Sequence, residues 1–332
     1  MSERPRITAV RPVCAIEGGR ITIQGSGFPT AGPRLPEVRV GDQRARVVYA
    51  SSTAIGAVVP AASDGGRLPI RIEGVSGETA YVDVATPFAT GLHQVDNPVF
   101  DSDGNLYVTY SGSRGQEVPV SIFRVRGNGT RETFASGIVN PTSMAIDPEG
   151  RLHVSSRFEG IVYRVAPDGS HSTFASDLGV ACGLAFSPDG TLFVGDRSGT
   201  IFRVDRTGRA ERFATLPASV AAFHLALASD GALHVTAPTL SSYDAIYHIA
   251  RDGEVTVRYT GFGRPQGLAF DSGGALWVVE ALAGSSGLYR LAANGSPELM
   301  LAGPGLVGVA FEPHGGLVVC SNETAYRLPR TN

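Results

Sequence analysis

Cysteine is scarce. The 332-residue chain holds three, Cys14, Cys182 and Cys320, scattered and without a CxxC pair, which excludes a disulfide framework. The opening Met1-Ser2-Glu3-Arg4-Pro5 carries no apolar stretch of signal-peptide type. Together these predict a reducing, cytoplasmic setting, or a secreted one if a leader has been removed. No run of 18 apolar residues occurs, so no helix spans a membrane and no membrane partner is expected. There is no long basic stripe. The net charge is −3 and the sequence pI about 6.2, which argues against nucleic acid as a partner. GxSxG, HExxH, P-loop and dinucleotide fingerprints are missing in any fitting context. The 3.6-residue apolar period that a helical solenoid needs is missing as well.

Glycine is abundant, 42 residues with no collagen-like period, and marks many tight turns. At 42% hydrophobic and 18% charged, the chain can build a packed core. Within residues 98–332 one pattern recurs six times. A short apolar strand (Val99-Phe100, Ala145-Ile146, Ala185-Phe186, Ala226-Leu227, Ala269-Phe270, Ala310-Phe311) is followed by a turn ending in Gly104, Gly150, Gly190, Gly231, Gly274 or Gly315. A second strand begins at Leu106, Leu152, Leu192, Leu233, Leu276 or Leu317. A third carries an aromatic-basic pair, as in Phe123-Arg124, Tyr163-Arg164 and Tyr247-His248. In five repeats a second glycine turn leads to a fourth strand, as at Asn128-Gly129 and Asn294-Gly295. The turns predict tight two-residue hairpins with positive φ. The glycine spacing, 40 to 46 residues, suits a four-stranded propeller blade.

The sixth repeat stops after its third strand, near Leu328. The segment Pro87-Phe88-Ala89-Thr90-Gly91-Leu92 matches the fourth strands Thr133-Phe134-Ala135 and Thr173-Phe174-Ala175, so it is expected to complete the last blade and close the ring. The expected fold is therefore all-β: a sandwich over residues 1–86 and a six-bladed β-propeller over 87–332, closed by an N-terminal strand.

Residues 5–84 lack the propeller pattern and show short alternating strands between Gly/Pro turns. The run Gly18-Gly19-Arg20-Ile21-Thr22-Ile23-Gln24-Gly25-Ser26-Gly27-Phe28 resembles the hallmark of TIG-type immunoglobulin-like domains. That resemblance implies a spacer or interaction module. The propeller resembles the NHL-repeat and gluconolactonase-type (senescence-marker-like) six-bladed group, whose lactonases hold a divalent metal at the channel mouth. The motifs carrying the resemblance are Asp96-Asn97-Pro98, Cys182-Gly183-Leu184 and Gln266-Gly267-Leu268, with Cys and Gln where the group's pattern implies Asn and Asp.

In a propeller the starts of the first strands and the ends of the second strands meet at one end of the central channel, where small-molecule sites usually lie. On that mouth the sequence places Asp96, Asn97, Thr142, Cys182, His224 and Gln266 before the first strands. Arg157, Asp196, Arg197, Glu280 and Asn322 follow the second strands. Uneven loops, 111–119, 238–244 and 281–286 against the short 197–199, frame the same face. Asp96, Asp196 and Glu280 are candidate catalytic carboxylates; Asp196 and Glu280 equally fit structural partners of Arg197 or Arg157. Asn97, Thr142, Cys182, His224, Gln266, Arg157, Arg197 and Asn322 are candidate ligand-binding residues. Asp96, Cys182 and His224 together offer a carboxylate, a thiolate and an imidazole suited to Zn²⁺; Ca²⁺ would need more oxygen donors than Asp96 and Gln266 supply. Equally, Cys182 fits a small buried filler and His224 a hydrogen bond across the channel.

Two functions follow. The first is a propeller that binds a small molecule or a protein partner at its mouth, with no reaction assigned. The second is a gluconolactonase-like hydrolase or lyase, metal-assisted or not.

Overall fold

The computed structural model describes residues 4–30, 32, 34–61, 65–281, 285–292 and 295–328. Every regular element among them is a β-strand. The turn at Asn294 lies outside the described residues.

Five four-stranded sheets stand separately, and a sixth four-stranded unit, Pro265–Phe270 to Pro297–Ala302, is joined through its outer strand to the N-terminal sandwich. Counting that unit, blades 1 to 6 have inner strands Val99–Phe100, Pro141–Ile146, Ala181–Phe186, His224–Leu227, Pro265–Phe270 and Leu306–Phe311. Each inner strand contacts the next, and the last returns to the first, so the ring is closed. Closure comes from Thr86–Thr90, which pairs antiparallel with Thr324–Arg327 in the register Ala89 to Ala325. Phe88 lies under the guanidinium of Arg327 at 3.7 Å, as Phe134 lies under Arg124 at 5.3 Å and Phe174 under Arg164 at 4.9 Å. The third-strand arginines of blades 1, 2, 3 and 6 thus stack on the outer strand's aromatic ring, whereas Arg290 of blade 5 lies over Trp277 of the second strand; Arg124 also binds Glu132. They belong to the blade framework.

The turns differ from two-residue hairpins. At the first turn Asp101 pairs with Asn105, the Asp101 carboxylate accepts the N–H groups of Asp103 and Asn105, and only Gly104 has positive φ, 79°. This is a three-residue loop, a type I turn followed by a left-handed residue, with the Asp side chain holding the turn.

The sandwich core is formed by Val10, Ile21, Ile23, Phe28, Val38, Ile55, Ile70 and Val82. Its short strand Cys14–Ala15 runs parallel to Ala80–Val84 on one side and to blade 5's outer strand on the other, making one continuous sheet across both domains. Ala302 of the propeller enters the sandwich core, and Ile16 of the sandwich enters the propeller core. Burying Ile16 contributes roughly 2–3 kcal/mol to that seam. At Gly19 a side chain would strike the Ala302 carbonyl, so glycine is required there by close approach.

Candidate functional site

The channel is crossed by a hydrogen-bonded bar. Asp96 enters from blade 1 and His224 from blade 4, opposite it in the ring; His224 Nδ1 lies 2.5 Å from Asp96 Oδ1. The Gln266 amide of blade 5 meets the other ring nitrogen at 3.1 Å. Asp96 and His224 are both almost fully buried. Below the bar, a cavity of about 380 Å³ is lined by inner strands of all six blades and reaches Phe100, Phe186 and Phe270.

Around the bar most of the predicted polar residues stitch blades together. Asn97 donates from Nδ2 to the Leu268 carbonyl (2.8 Å) and accepts the Val309 N–H (2.9 Å), joining blade 1 to blades 5 and 6. Thr142 is buried and donates to the Asn140 carbonyl. Asn322 donates to the Gln94 carbonyl at 2.9 Å. The glycines of the motifs at 182–184 and 266–268 have the same structural origin. A side chain at Gly183 would strike the Phe223 carbonyl of blade 4, and one at Gly267 would strike Asn97 and the Val307 carbonyl. These motifs report how tightly inner strands pack around the axis.

The three candidate carboxylates do not converge as one catalytic set. Asp96 is held by His224. Asp196 accepts the Val180 N–H at 2.8 Å and binds the Ser198 hydroxyl, fixing the loop between strands of blade 3. Glu280 is fully buried and accepts the Arg264 N–H at 3.1 Å. Neither Asp196 nor Glu280 pairs with Arg157 or Arg197 among the described residues.

Cys182 is buried, and desolvation pushes its thiol up to about 12, against the thiolate that a metal would need. Among the described residues no three His, Cys, Asp or Glu side chains converge on a metal position. Asp96 and His224 bind each other, and among the described residues Asp96, Cys182 and His224 do not gather as a three-ligand Zn²⁺ position.

Two organising residues carry no sequence mark of a site. Gln94 is fully buried, donates to the Asp96 carbonyl (2.7 Å) and accepts the Thr109 N–H (2.7 Å). Asn140, at φ 48°, donates to the Ser111 and Ser113 carbonyls and so holds the blade 1 loop. Each precedes an inner strand by a few residues, the one positional signal available.

A family model described as the IPT/TIG domain matches residues 5–88. The N-terminal unit is a TIG domain. No curated protein matches the chain. Among solved structures, the chain is similar to an auxiliary nutrient binding protein from Bacteroides ovatus (13% identity, TM-score 0.58, covering 99% of each chain). A gluconolactonase from Xanthomonas campestris aligns at 18% identity and TM-score 0.62, over 90% of this chain and 99% of that one. An inactive variant of virginiamycin B lyase from Staphylococcus aureus, solved with quinupristin, aligns at 15% identity and TM-score 0.53, over 99% and 95%. At these identities the likeness is one of fold.

Proposed function

We propose that the propeller mouth binds a small molecule, and that the TIG domain is the rigid base from which the propeller is presented. The observation that carries this reading is where the propeller exposes apolar surface. Among the described residues the propeller exposes five large hydrophobic side chains, and four sit on mouth-face loops: Phe158 (54%), Val220 (45%), Leu240 (91%) and Tyr243 (67%). The fifth, Val257, is on an outer strand. Val220 is tied to the blade 4 loop by its N–H to the Pro238 carbonyl, and Phe158 packs over Gly115 of the blade 1 loop. Apolar side chains gathered over a buried polar floor suit an organic ligand better than water alone. The solved proteins of similar fold include a nutrient binding protein, a gluconolactonase and a virginiamycin B lyase.

A second reading, a hydrolase or lyase, rests on the Asp96–His224 pair, since a carboxylate that orients an imidazole is the arrangement of a general base. Against it, the imidazole is fully buried and its second nitrogen faces Gln266. A screen of small organic compounds by thermal shift, repeated on Phe158→Ala and Leu240→Ala, tests the first reading. Hits weakened by these changes support it; hits indifferent to them contradict it. Turnover of a lactone panel that is lost in Asp96→Asn would favour the second.

A further inference from the structure

The mouth carries a charge imbalance. Arg157 and Arg197 occupy equivalent positions just after the second strands of the neighbouring blades 2 and 3, on the mouth rim. No hydrogen bond or ion pair reaches either guanidinium among the described residues, whereas the third-strand arginines Arg124, Arg203 and Arg290 each bind a carboxylate. Arg157 is also partly buried. Burial lowers its pKa, Cys182 acts in the opposite direction, and the charge of Arg197 lowers it further. Arg157 also acts on His93, half-buried on the same face.

Two nearby carboxylates are engaged elsewhere: Asp96 binds His224, and Asp196 binds Val180 and Ser198. Glu159 and Glu323, on loops of the same face, form no ion pair with either arginine among the described residues. Two like charges brought together without a counter-charge are an unfavourable arrangement unless an anion joins them, and paired guanidiniums match the oxygens of a carboxylate or phosphate. The exposed ring of Phe158 directly follows Arg157, and Val220 lies on the loop tied to Arg197 through the Ser219 N–H and the Arg197 carbonyl.

From this we infer that the ligand of the mouth is an amphipathic anion: an oxyanion head held by Arg157 and Arg197, with an apolar body over Phe158 and Val220. The inference rests on the mouth reading above and adds the chemical class of its ligand.

The test is calorimetric titration with a matched series: 4-phenylbutyrate, 4-phenylbutyl phosphate, 4-phenylbutanol and 4-phenylbutylamine, plus inorganic phosphate. Wild-type protein is compared with Arg157→Gln, Arg197→Gln and Phe158→Ala, each checked for an unchanged melting temperature. The acid or the phosphate ester binds at least about tenfold more tightly than the alcohol, and either arginine change removes about that factor. Binding of both anions weakens with added salt. Preference for the ester over the acid identifies a phosphate head, and the reverse a carboxylate; inorganic phosphate alone binds weakly because it lacks the body. Equal affinity for acid, alcohol and amine, weakened by Phe158→Ala but not by the arginine changes, overturns the charge inference and leaves the mouth reading standing. Binding indifferent to all three changes overturns both. No anion binding up to about 10 mM also overturns the inference.

Discussion

His224 Nδ1 and Asp96 Oδ1 lie 2.5 Å apart, although 128 residues separate them in the chain and they come from opposite blades. The contact crosses the channel and joins opposite blades of the ring. Removing the imidazole leaves a buried carboxylate without its partner, which costs about 3 kcal/mol. His224→Ala is therefore expected to lower the urea midpoint strongly at an unchanged slope, and Asp96→Asn, which keeps a hydrogen-bonding side chain, to lower it less. Equal, negligible effects would show that the bar contributes nothing.

The seam between the domains offers a second test. Gly19 has no room for a methyl group against the Ala302 carbonyl. Gly19→Ala is expected to destabilise the seam by roughly 1–3 kcal/mol and to split a single calorimetric transition into a TIG step and a propeller step. A single unshifted transition would mean that the close approach of Gly19 to Ala302 does not hold the seam.

Acid should act through two histidines at equivalent second-strand positions. Burial holds His153 and His234 near a pKa of about 4, against 6.5 for the free side chain. The fold thus favours their neutral forms, while the unfolded chain takes up protons at higher pH. Their contribution is fully present above pH 6.5 and is lost as pH falls toward 4, by up to roughly 3 kcal/mol for each. His153→Phe, whose ring keeps the edge contacts to Phe174 and Phe186, should lose less stability between pH 7 and 4 than the wild type does. An identical acid limb in the variant would contradict this.

The thiols should be silent. Burial raises Cys182 to about 12, Cys14 to about 11 and Cys320 as well. In a thiol-reagent assay near pH 8 the native protein should react slowly, and all three cysteines should react at once in denaturant. A fast native reaction at Cys182 would reopen its role as a nucleophile or metal ligand.

Much of the architecture is legible in the repeat. The match between Phe88 and Phe134 predicts ring closure because the same aromatic ring must sit beneath the same third-strand arginine, and Phe88 does lie beneath Arg327. The seam is not legible, because a two-residue strand, Cys14–Ala15, is too short to carry an alternating pattern. The site is legible only in part. Sequence places Asp96, His224 and Gln266 on one channel, yet their burial and mutual bonding arise from opposite blades meeting, which no local pattern encodes. Gly183 and Gly267 read as parts of ligand motifs although packing alone accounts for them. The absence of carboxylate partners at Arg157 and Arg197 emerges only once Asp196 is seen bound to Val180 and Ser198.

Amide hydrogen exchange with and without a bound small molecule tests the central claim most directly. Protection should appear in the mouth-face loops around Phe158, Arg197 and Val220. Protection confined to the far face, at the turns near Gly274 and His314 or in the roughly 670 Å³ cleft lined by His234 and His248, would contradict the account.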